Sequence, residues 1–182
     1  MSDQYLGQKM VEEEDLGLFL EAYEEVTGEA LRVLARGERP DFICARPMGE
    51  RVGVELTRPH HDYHTARWDR MFGVIHASND FDLLDAVSGI VAQKSRKRMS
   101  SDWRLRNNTI LVIKLVDYAF LSPEWFSEEC LADDYASAGF AEIWLADHTE
   151  LDAYGAARLI GLHPERIWGT HHQPSFHQKP YG

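Results

Sequence analysis

Two carboxylates lie fourteen residues apart in a short β-prone part of the chain. Asp41 follows Pro40, and Glu55 begins the sequence Glu55-Leu56-Thr57. Carboxylate oxygens are the ligands that hard divalent cations such as Mg²⁺ and Mn²⁺ prefer. The two acids therefore predict a metal site, provided that their side chains project from the same face of the local structure.

The pattern around these acids is typical of a β-hairpin. Residues 42–46 and 51–57 are strand-prone runs that flank Pro47-Met48-Gly49-Glu50, where proline and glycine supply turn chemistry. In the second run Val52, Val54 and Leu56 occupy alternate positions. One face of the hairpin is therefore predicted to pack on the core, and Glu55 lies on the other.

The register of the hairpin decides whether Asp41 joins Glu55. Cross-strand partners share a face, and a slip of one residue moves a side chain to the opposite face. The two acids share a face with a three- or five-residue loop or with a bulge, and a plain four-residue loop separates them. The alternative interpretation of the pair is a solvated face that carries ordinary surface charges.

A lysine lies where a later helix should be apolar. Asn79, Asp80 and Asp82 offer N-caps for a helix that runs to about Arg98. Its predicted apolar face consists of Leu83, Val87, Ile90 and Val91, and helical spacing continues this face to Lys94. Lys94 either extends to solvent at the helix end or directs its charge at the two carboxylates.

The first long amphipathic segment covers residues 12–36 and is predicted as one helix that ends near Gly37. At about 100 degrees per residue, Glu24 falls beside the apolar residues Leu20 and Leu31. Glu24 is therefore a third candidate acid, although an ordinary glutamate at the edge of the core is the alternative.

The rest of the chain alternates between the two structural types. Strands are predicted at residues 109–116, 141–146 and 159–162, and helices at 66–75, 123–138 and 151–157. This alternation is typical of an α/β fold with a mixed sheet covered by helices. We expect one domain over residues 1–168, followed by a loosely held tail at 169–182.

Charge is unevenly distributed along this acidic chain, whose net charge is -11. Residues 94–106 contain six basic side chains and one acid, whereas residues 115–157 contain ten acids and no Lys or Arg. A polyanion would therefore bind at the basic segment. The acidic surface at 117–152 is a candidate site for a protein partner.

Cysteine content and hydropathy bound the class of protein. Cys44 and Cys130 have no CxxC spacing and are predicted to be reduced core thiols, so neither a disulfide framework nor a thiolate zinc site is indicated. The most hydrophobic run, residues 110–116, is too short to cross a bilayer. We expect a cytoplasmic protein without a membrane partner.

Taken in order, a helix, a hairpin with Pro40-Asp41 and Glu55-x-Thr57, a helix with an inward Lys94 and an apolar strand resemble the PD-(D/E)xK nucleases of the restriction-endonuclease-like superfamily. The resemblance covers residues 12–116 and implies their αβββαβ core. Thr57 departs from the pattern because the family usually has lysine there. In some branches the lysine lies on the following helix, and Lys94 matches that arrangement.

The resemblance implies a phosphodiester hydrolase with Mg²⁺ or Mn²⁺ held by Asp41, Glu55 and the backbone carbonyl of Leu56. Lys94 would orient the nucleophile or offset charge in the transition state, and Glu24 matches the first-helix acid of some members. The implied substrate is nucleic acid, with DNA favoured over RNA. A homodimer is compatible with this activity because such enzymes often pair subunits to cut both strands.

Basic and aromatic side chains near Lys94 predict the contacts with nucleic acid. Cations can bind backbone phosphates, and an aromatic ring can stack on a base. The candidates are Arg96, Lys97, Arg98, Trp103, Arg104 and Arg106. Phosphate contact or proton transfer is also predicted for His60, His61 and His64, which follow the hairpin.

Two other functions are compatible with the sequence. A non-catalytic protein could keep the fold and bind a protein or nucleic acid, and the replacement of lysine by Thr57 favours it. A histidine-based hydrolase would hold its metal through His60 and His64. No P-loop, GxGxxG or GxSxG motif is present, so nucleotide-driven and acyl-transfer chemistry have no support.

Overall fold

A computed structural model describes residues 3–57, 80–115, 134–148 and 157–170. In chain order the elements are α1 (Asp3–Thr27), β1 (Arg32–Arg36), β2 (Phe42–Ala45), β3 (Arg51–Thr57), α2 (Asp80–Arg98), β4 (Thr109–Leu115), β5 (Glu142–Asp147) and β6 (Arg158–His163). Single 3₁₀ turns lie at Ala136–Ala138 and Glu165–Ile167.

The six strands form one mixed sheet in the order β1-β2-β3-β4-β5-β6. The pairs β1–β2, β2–β3 and β5–β6 are antiparallel, whereas β3–β4 and β4–β5 are parallel. The prediction of an α/β fold with a mixed sheet is confirmed, as are the three strands that were predicted after α2. Within the described ranges the first six elements follow the order αβββαβ.

Apolar side chains cover the sheet on both sides. On what we call the α1 face, Phe19 and Tyr23 of α1 pack with Val54 of β3 and Val112 of β4. On the opposite side, which we call the α2 face, Val87 and Val91 of α2 pack with Leu111 of β4, which is adjacent to Val112 and points the other way. Burial of the central strands on both sides explains why residues 110–113 of β4 and 143–146 of β5 are continuously apolar rather than apolar at alternate positions.

The hairpin has the register that places Asp41 and Glu55 on the same side. Phe42 pairs with Val54 and Ala45 with Arg51, which leaves a five-residue loop at 46–50. Continuing the antiparallel ladder by one step sets Asp41 opposite Glu55. The parallel pair between Glu55 and Leu111 then assigns Glu55 to the α2 face.

The first helix ends earlier than the sequence predicts. α1 stops at Thr27, and residues 32–36 of the predicted helix form the edge strand β1 instead. Gly28 takes a left-handed φ of 73° and its N–H donates to the Glu24 carbonyl at 2.8 Å, a common way for a helix to end. Leu31 fits the helical spacing but is buried beyond the helix, on the α1 face.

Other predicted elements lie partly or wholly outside the described residues. This applies to the helices at 66–75 and 151–157 and to most of the helix at 123–138, whose described end is the 3₁₀ turn Ala136–Ala138. Of the predicted tail, Gly169 and Thr170 are described, and the Thr170 carbonyl accepts a hydrogen bond from Gly161 of β6 at 3.2 Å. Cys44 is a buried free thiol, and Cys130 lies outside the described ranges.

None of the helices in the described part of the chain has the length and apolar character needed to cross a membrane.

A buried carboxylate joins the amino-terminal end of β5 to α1. Glu142 is 1% exposed and accepts hydrogen bonds from Arg46 at 2.7 Å, Trp144 at 2.8 Å and Tyr23 at 3.1 Å. Arg166 contributes a longer contact of 3.3 Å. Because both oxygens of Glu142 are satisfied, we interpret this group as a structural network. The prediction that the acids of 117–152 form a surface is wrong for Glu142.

Replacing Arg46 with alanine should lower the free energy of unfolding by about 3 kcal/mol, because it removes a close charged partner from a buried carboxylate. Arg32→Ala, on the exposed edge strand, is the control and should change it by less than about 0.5 kcal/mol. Urea denaturation measures both values. Equal effects of the two substitutions would contradict the role of Arg46.

Candidate metal and nucleic-acid site

Asp41 is held at the open end of the hairpin by the backbone of β3. Its Oδ2 accepts a hydrogen bond from the Leu56 N–H at 2.8 Å, and its own carbonyl accepts one from Gly37 at 2.8 Å. β2 begins only at Phe42. Just before that strand begins, the Asp41 side chain therefore supplies the acceptor that a strand backbone would otherwise offer to the Leu56 N–H. One oxygen of the carboxylate is thereby held against the backbone of β3.

Pro40 positions Asp41 by packing over a glycine of β3. A Cβ atom at Gly53 would lie 2.5 Å from Pro40 Cγ and 3.0 Å from Thr109 Oγ1. Only glycine leaves room for this approach, which is a typical reason for glycine inside a strand. The Pro-Asp pair and Gly53 therefore form one packing unit.

Lys94 of α2 reaches Glu55 across the α2 face. Its Nζ donates to Glu55 Oε1 at 2.6 Å, and the side chains of Lys94 and Glu55 are only 12% and 6% exposed. Lys94 follows Val91 by one turn, on the face of α2 that packs on the sheet. Of the two predicted alternatives, Lys94 is therefore directed at the acids and does not extend to solvent. We call Asp41, Glu55 and Lys94 the acid–lysine site.

The second oxygen of Glu55 has unused bonding capacity. Among the residues that the structure describes, buried Oε2 has no hydrogen-bond partner. Leaving a buried carboxylate oxygen without a partner is costly, and a further ligand usually explains it. Because Lys94 binds only the Oε1 atom of Glu55, the Oε2 atom can still bind a cation.

Burial and a neighbouring carboxylate favour the protonated form of Asp41. Loss of water around Asp41, followed by the nearby charge of Glu55, raises the pKa of Asp41 to about 7. The hydrogen bond from Leu56 and the charge of Lys94 act in the opposite direction but are outweighed. A divalent cation bound beside Asp41 would relieve the repulsion between the two carboxylates.

The donor set fits Mg²⁺ or Mn²⁺ better than a softer ion. Asp41 and Glu55 offer oxygens, and the Leu56 carbonyl points to the same strand edge as its N–H, which faces Asp41. Over residues 10–57, 85–115, 134–148 and 157–170, no group of three or more His, Cys, Asp or Glu side chains could hold a metal. Mg²⁺ commonly binds one or two carboxylates and completes its shell with water and substrate phosphate.

The structure does not bring Glu24 to this site. Glu24 is exposed, so its predicted place beside the buried stripe is wrong. The charge on α1 that acts on Asp41 belongs to Glu12, and Glu24 lies about 18 Å farther along the helix axis at 1.5 Å per residue. The early end of α1 explains the error, since Leu31 does not continue the helical stripe that was used to place Glu24.

Two predicted nucleic-acid contacts are part of the core instead. Arg98 is 6% exposed, and its guanidinium donates to the carbonyls of Arg106 at 2.8 Å and Ala138 at 3.1 Å. Trp103 is 5% exposed and donates its indole N–H to Thr109 at 3.3 Å. Neither side chain is available to a phosphate or a base, so both predictions are wrong.

The other predicted contacts differ in their accessibility. Arg96, Lys97 and Arg104 are exposed, whereas Arg106 is half-buried and donates to the Ser100 carbonyl at 2.8 Å. His60, His61 and His64 lie outside the described residues, as does most of the acidic segment 117–152.

A second buried ion pair on the α1 face was missed. Lys114 of β4 donates to Asp15 of α1 at 2.6 Å, and His148 Nδ1 lies 3.9 Å from the same carboxylate. The signal was present, because Lys114 is the one charged residue in the apolar run 109–115. A cation in such a strand indicates a buried partner.

Comparison of the chain with protein-family models, with curated proteins and with solved structures finds no match.

Adding a methyl group at position 53 should displace Pro40 and thereby disturb the position of Asp41 in the acid–lysine site. Gly53→Ala forces Pro40 outward and is expected to cost about 1–3 kcal/mol of unfolding free energy. Gly89→Ala in α2 is the matched control, because nothing lies within 4 Å of its added methyl group, and it should stabilise by about 0.5–1 kcal/mol. Urea denaturation distinguishes them, and a neutral Gly53→Ala would refute the packing described.

The raised pKa of Asp41 predicts that protonation stabilises the metal-free protein. The stabilisation is complete below the unfolded value of 3.8 and is lost as the pH rises through about 7, with a size of a few kcal/mol at most. In EDTA, wild type should therefore lose stability relative to Asp41→Asn from pH 4 to pH 8, because the amide of the variant cannot ionise. Parallel stability curves for the two proteins would contradict the shift.

Proposed function

We propose that this protein is a metal-dependent nuclease with a restriction-endonuclease-like core, acting on phosphodiester bonds and on DNA in preference to RNA. The observation that carries the proposal is Glu55. Its Oε1 is bound by Lys94 at 2.6 Å, and its buried Oε2 has no hydrogen-bond partner among the described residues. A carboxylate held in this way is ready to bind a cation with its second oxygen.

The cost of the arrangement supports a functional role. A buried ion pair often contributes less stability than apolar residues of the same size, and Lys94 interrupts an otherwise apolar helix face. Residues that break a local rule in this way are expected at functional sites. By contrast, Thr57 is buried at the position where the family pattern has lysine, and Lys94 supplies the missing positive charge from α2.

Each residue has a distinct role in the proposal. Asp41, Glu55 and the Leu56 carbonyl would hold Mg²⁺ or Mn²⁺, and such an ion supplies charge neutralisation of phosphate and acidification of a water molecule. Lys94 keeps Glu55 oriented and brings an ammonium group beside the scissile phosphate. There it offsets the negative charge that develops in the transition state.

The order of the elements supports the same assignment. The sequence αβββαβ places the two acids on the hairpin β2–β3 and the lysine on the helix that connects β3 with the parallel strand β4. Sites in sheets with parallel strands are commonly found near the carboxyl ends of those strands, and Glu55 lies two residues before the end of β3.

Removing any of the three charged groups should lower cleavage by about a hundredfold or more. The test variants are Asp41→Asn, Glu55→Gln and Lys94→Met, and Arg32→Met is the control because Arg32 is exposed on the edge strand β1. Plasmid DNA and a mixed RNA, each with Mg²⁺ or Mn²⁺, provide the assay. Cleavage that survives in all three test variants would refute the proposal.

Folding and metal binding are measured separately in the same variants. Lys94→Met leaves Glu55 buried without its cation and can cost about 3–5 kcal/mol, so the double variant with Glu55→Gln restores a neutral pair. Calorimetry with Mn²⁺ should show weaker binding in Asp41→Asn and Glu55→Gln. If the wild-type protein binds nucleic acid but neither binds Mn²⁺ nor cleaves, it is a non-catalytic binding protein. If Mn²⁺ binding is lost only in the variant His60→Ala/His64→Ala, the protein is the histidine-based hydrolase.

A further inference from the structure

An open groove of about 440 Å³ lies beside the hairpin. Two arginines and two apolar residues line it, namely Ile43, Arg51, Arg104 and Leu105. Both arginines are exposed. We call this feature the arginine groove.

The backbone around the groove is tied to the hairpin. Asn108 donates its side-chain amide to the Arg51 carbonyl at 2.6 Å and its N–H to the Leu105 carbonyl at 2.7 Å. Thr109 Oγ1 also donates to the Leu105 carbonyl, at 2.9 Å. These bonds hold Leu105 at a positive φ of 53°, a conformation that is unfavourable for a branched side chain. The two walls of the groove are therefore fixed with respect to each other.

The groove is also connected to the metal-binding acid. The Arg104 N–H donates to the Arg39 carbonyl at 2.9 Å, two residues before Asp41. On β3, Arg51 and Glu55 lie on the same face because they are four residues apart. Their Cα atoms are separated by about 13 Å at 3.3 Å per residue, which equals the axial rise of roughly four base pairs of a duplex.

The groove brings two cations to one concave surface. Within the described residues, neither Arg51 nor Arg104 forms a salt bridge, whereas Arg36, Arg39 and Arg46 each have an acidic partner. The groove therefore places two arginines without acidic partners side by side, in a chain with a net charge of -11. Such groups attract a polyanion locally although the whole protein is acidic.

We propose that the arginine groove binds the sugar-phosphate backbone of the substrate strand a few nucleotides away from the bond that is cleaved. Arg51 and Arg104 each contact a phosphate, and Ile43 and Leu105 form the apolar floor against the sugars. This inference rests on the proposed nuclease function and assigns its backbone-binding surface. It replaces buried Arg98 and Trp103 with residues that a nucleic acid can reach.

Binding of a fluorescein-labelled 20-bp DNA duplex, measured by anisotropy in EDTA from 50 to 200 mM salt, tests the groove without catalysis. The variant Arg51→Ala/Arg104→Ala should weaken binding roughly tenfold and reduce the slope of log K against log salt by about two. Arg32→Ala, an exposed arginine on β1, is the control and should match wild type. Both arginines of the groove are on the surface, so we expect normal folding.

The outcomes separate this inference from the proposed function. If wild type cuts DNA and the double variant binds with unchanged affinity and slope, the groove is refuted and the nuclease stands. If the double variant loses affinity and slope but wild type never cleaves, the groove stands and the nuclease is refuted. Wild type that neither binds nor cuts would overturn both.

Discussion

The hydrogen bond between Lys94 and Glu55 is the contact on which the organisation of the site depends. A carboxylate inside the α2 face needs a cation, and Thr57, two residues farther along β3, supplies none. Lys94 provides the charge from α2 at 2.6 Å. This requirement explains why a helix face formed by Val87 and Val91 ends in a lysine, and it fixes α2 in register with β3.

Two buried glutamates in one sheet show the difference between a structural and a reactive environment. Glu142 has donors on both oxygens, including Arg46, Tyr23 and Trp144. Glu55 has Lys94 on one oxygen and no hydrogen-bond partner on the other among the described residues. A saturated carboxylate stabilises the packing of the elements around it. An incompletely bonded one beside a second acid has the chemistry of a metal ligand.

Side chains that look alike in sequence have different roles in the basic segment after α2. Arg98 and Trp103 are internal, where Arg98 donates to the Arg106 carbonyl and Trp103 to the Thr109 hydroxyl. Arg104 lies in the same segment yet is exposed beside Arg51 of the hairpin. The surface proposed for a polyanion therefore combines one residue of this segment with one of β3, rather than using the segment alone.

Local patterns were sufficient for the α/β class, the hairpin β2–β3, the helix that carries Lys94 and the apolar strand β4. Each depends on contacts between near neighbours in sequence, namely alternation, turn residues and helical spacing. Pro40-Asp41 and Glu55 were identified as the acid pair for the same reason, since a hairpin brings sequence neighbours together.

Contacts between distant segments decided the rest. Periodicity could not show that α1 ends at Thr27, because Leu31 reaches the same α1-face core from beyond the helix end. Several other features depend on how the elements pack. They are the burial of Arg98, the exposure of Glu24, the distance from Lys94 to Glu55 and the proximity of Arg51 to Arg104. Composition and spacing thus determined which residues could do chemistry. Packing alone decided which of them share one low-dielectric site, because burial and long-range distance are properties of the folded chain.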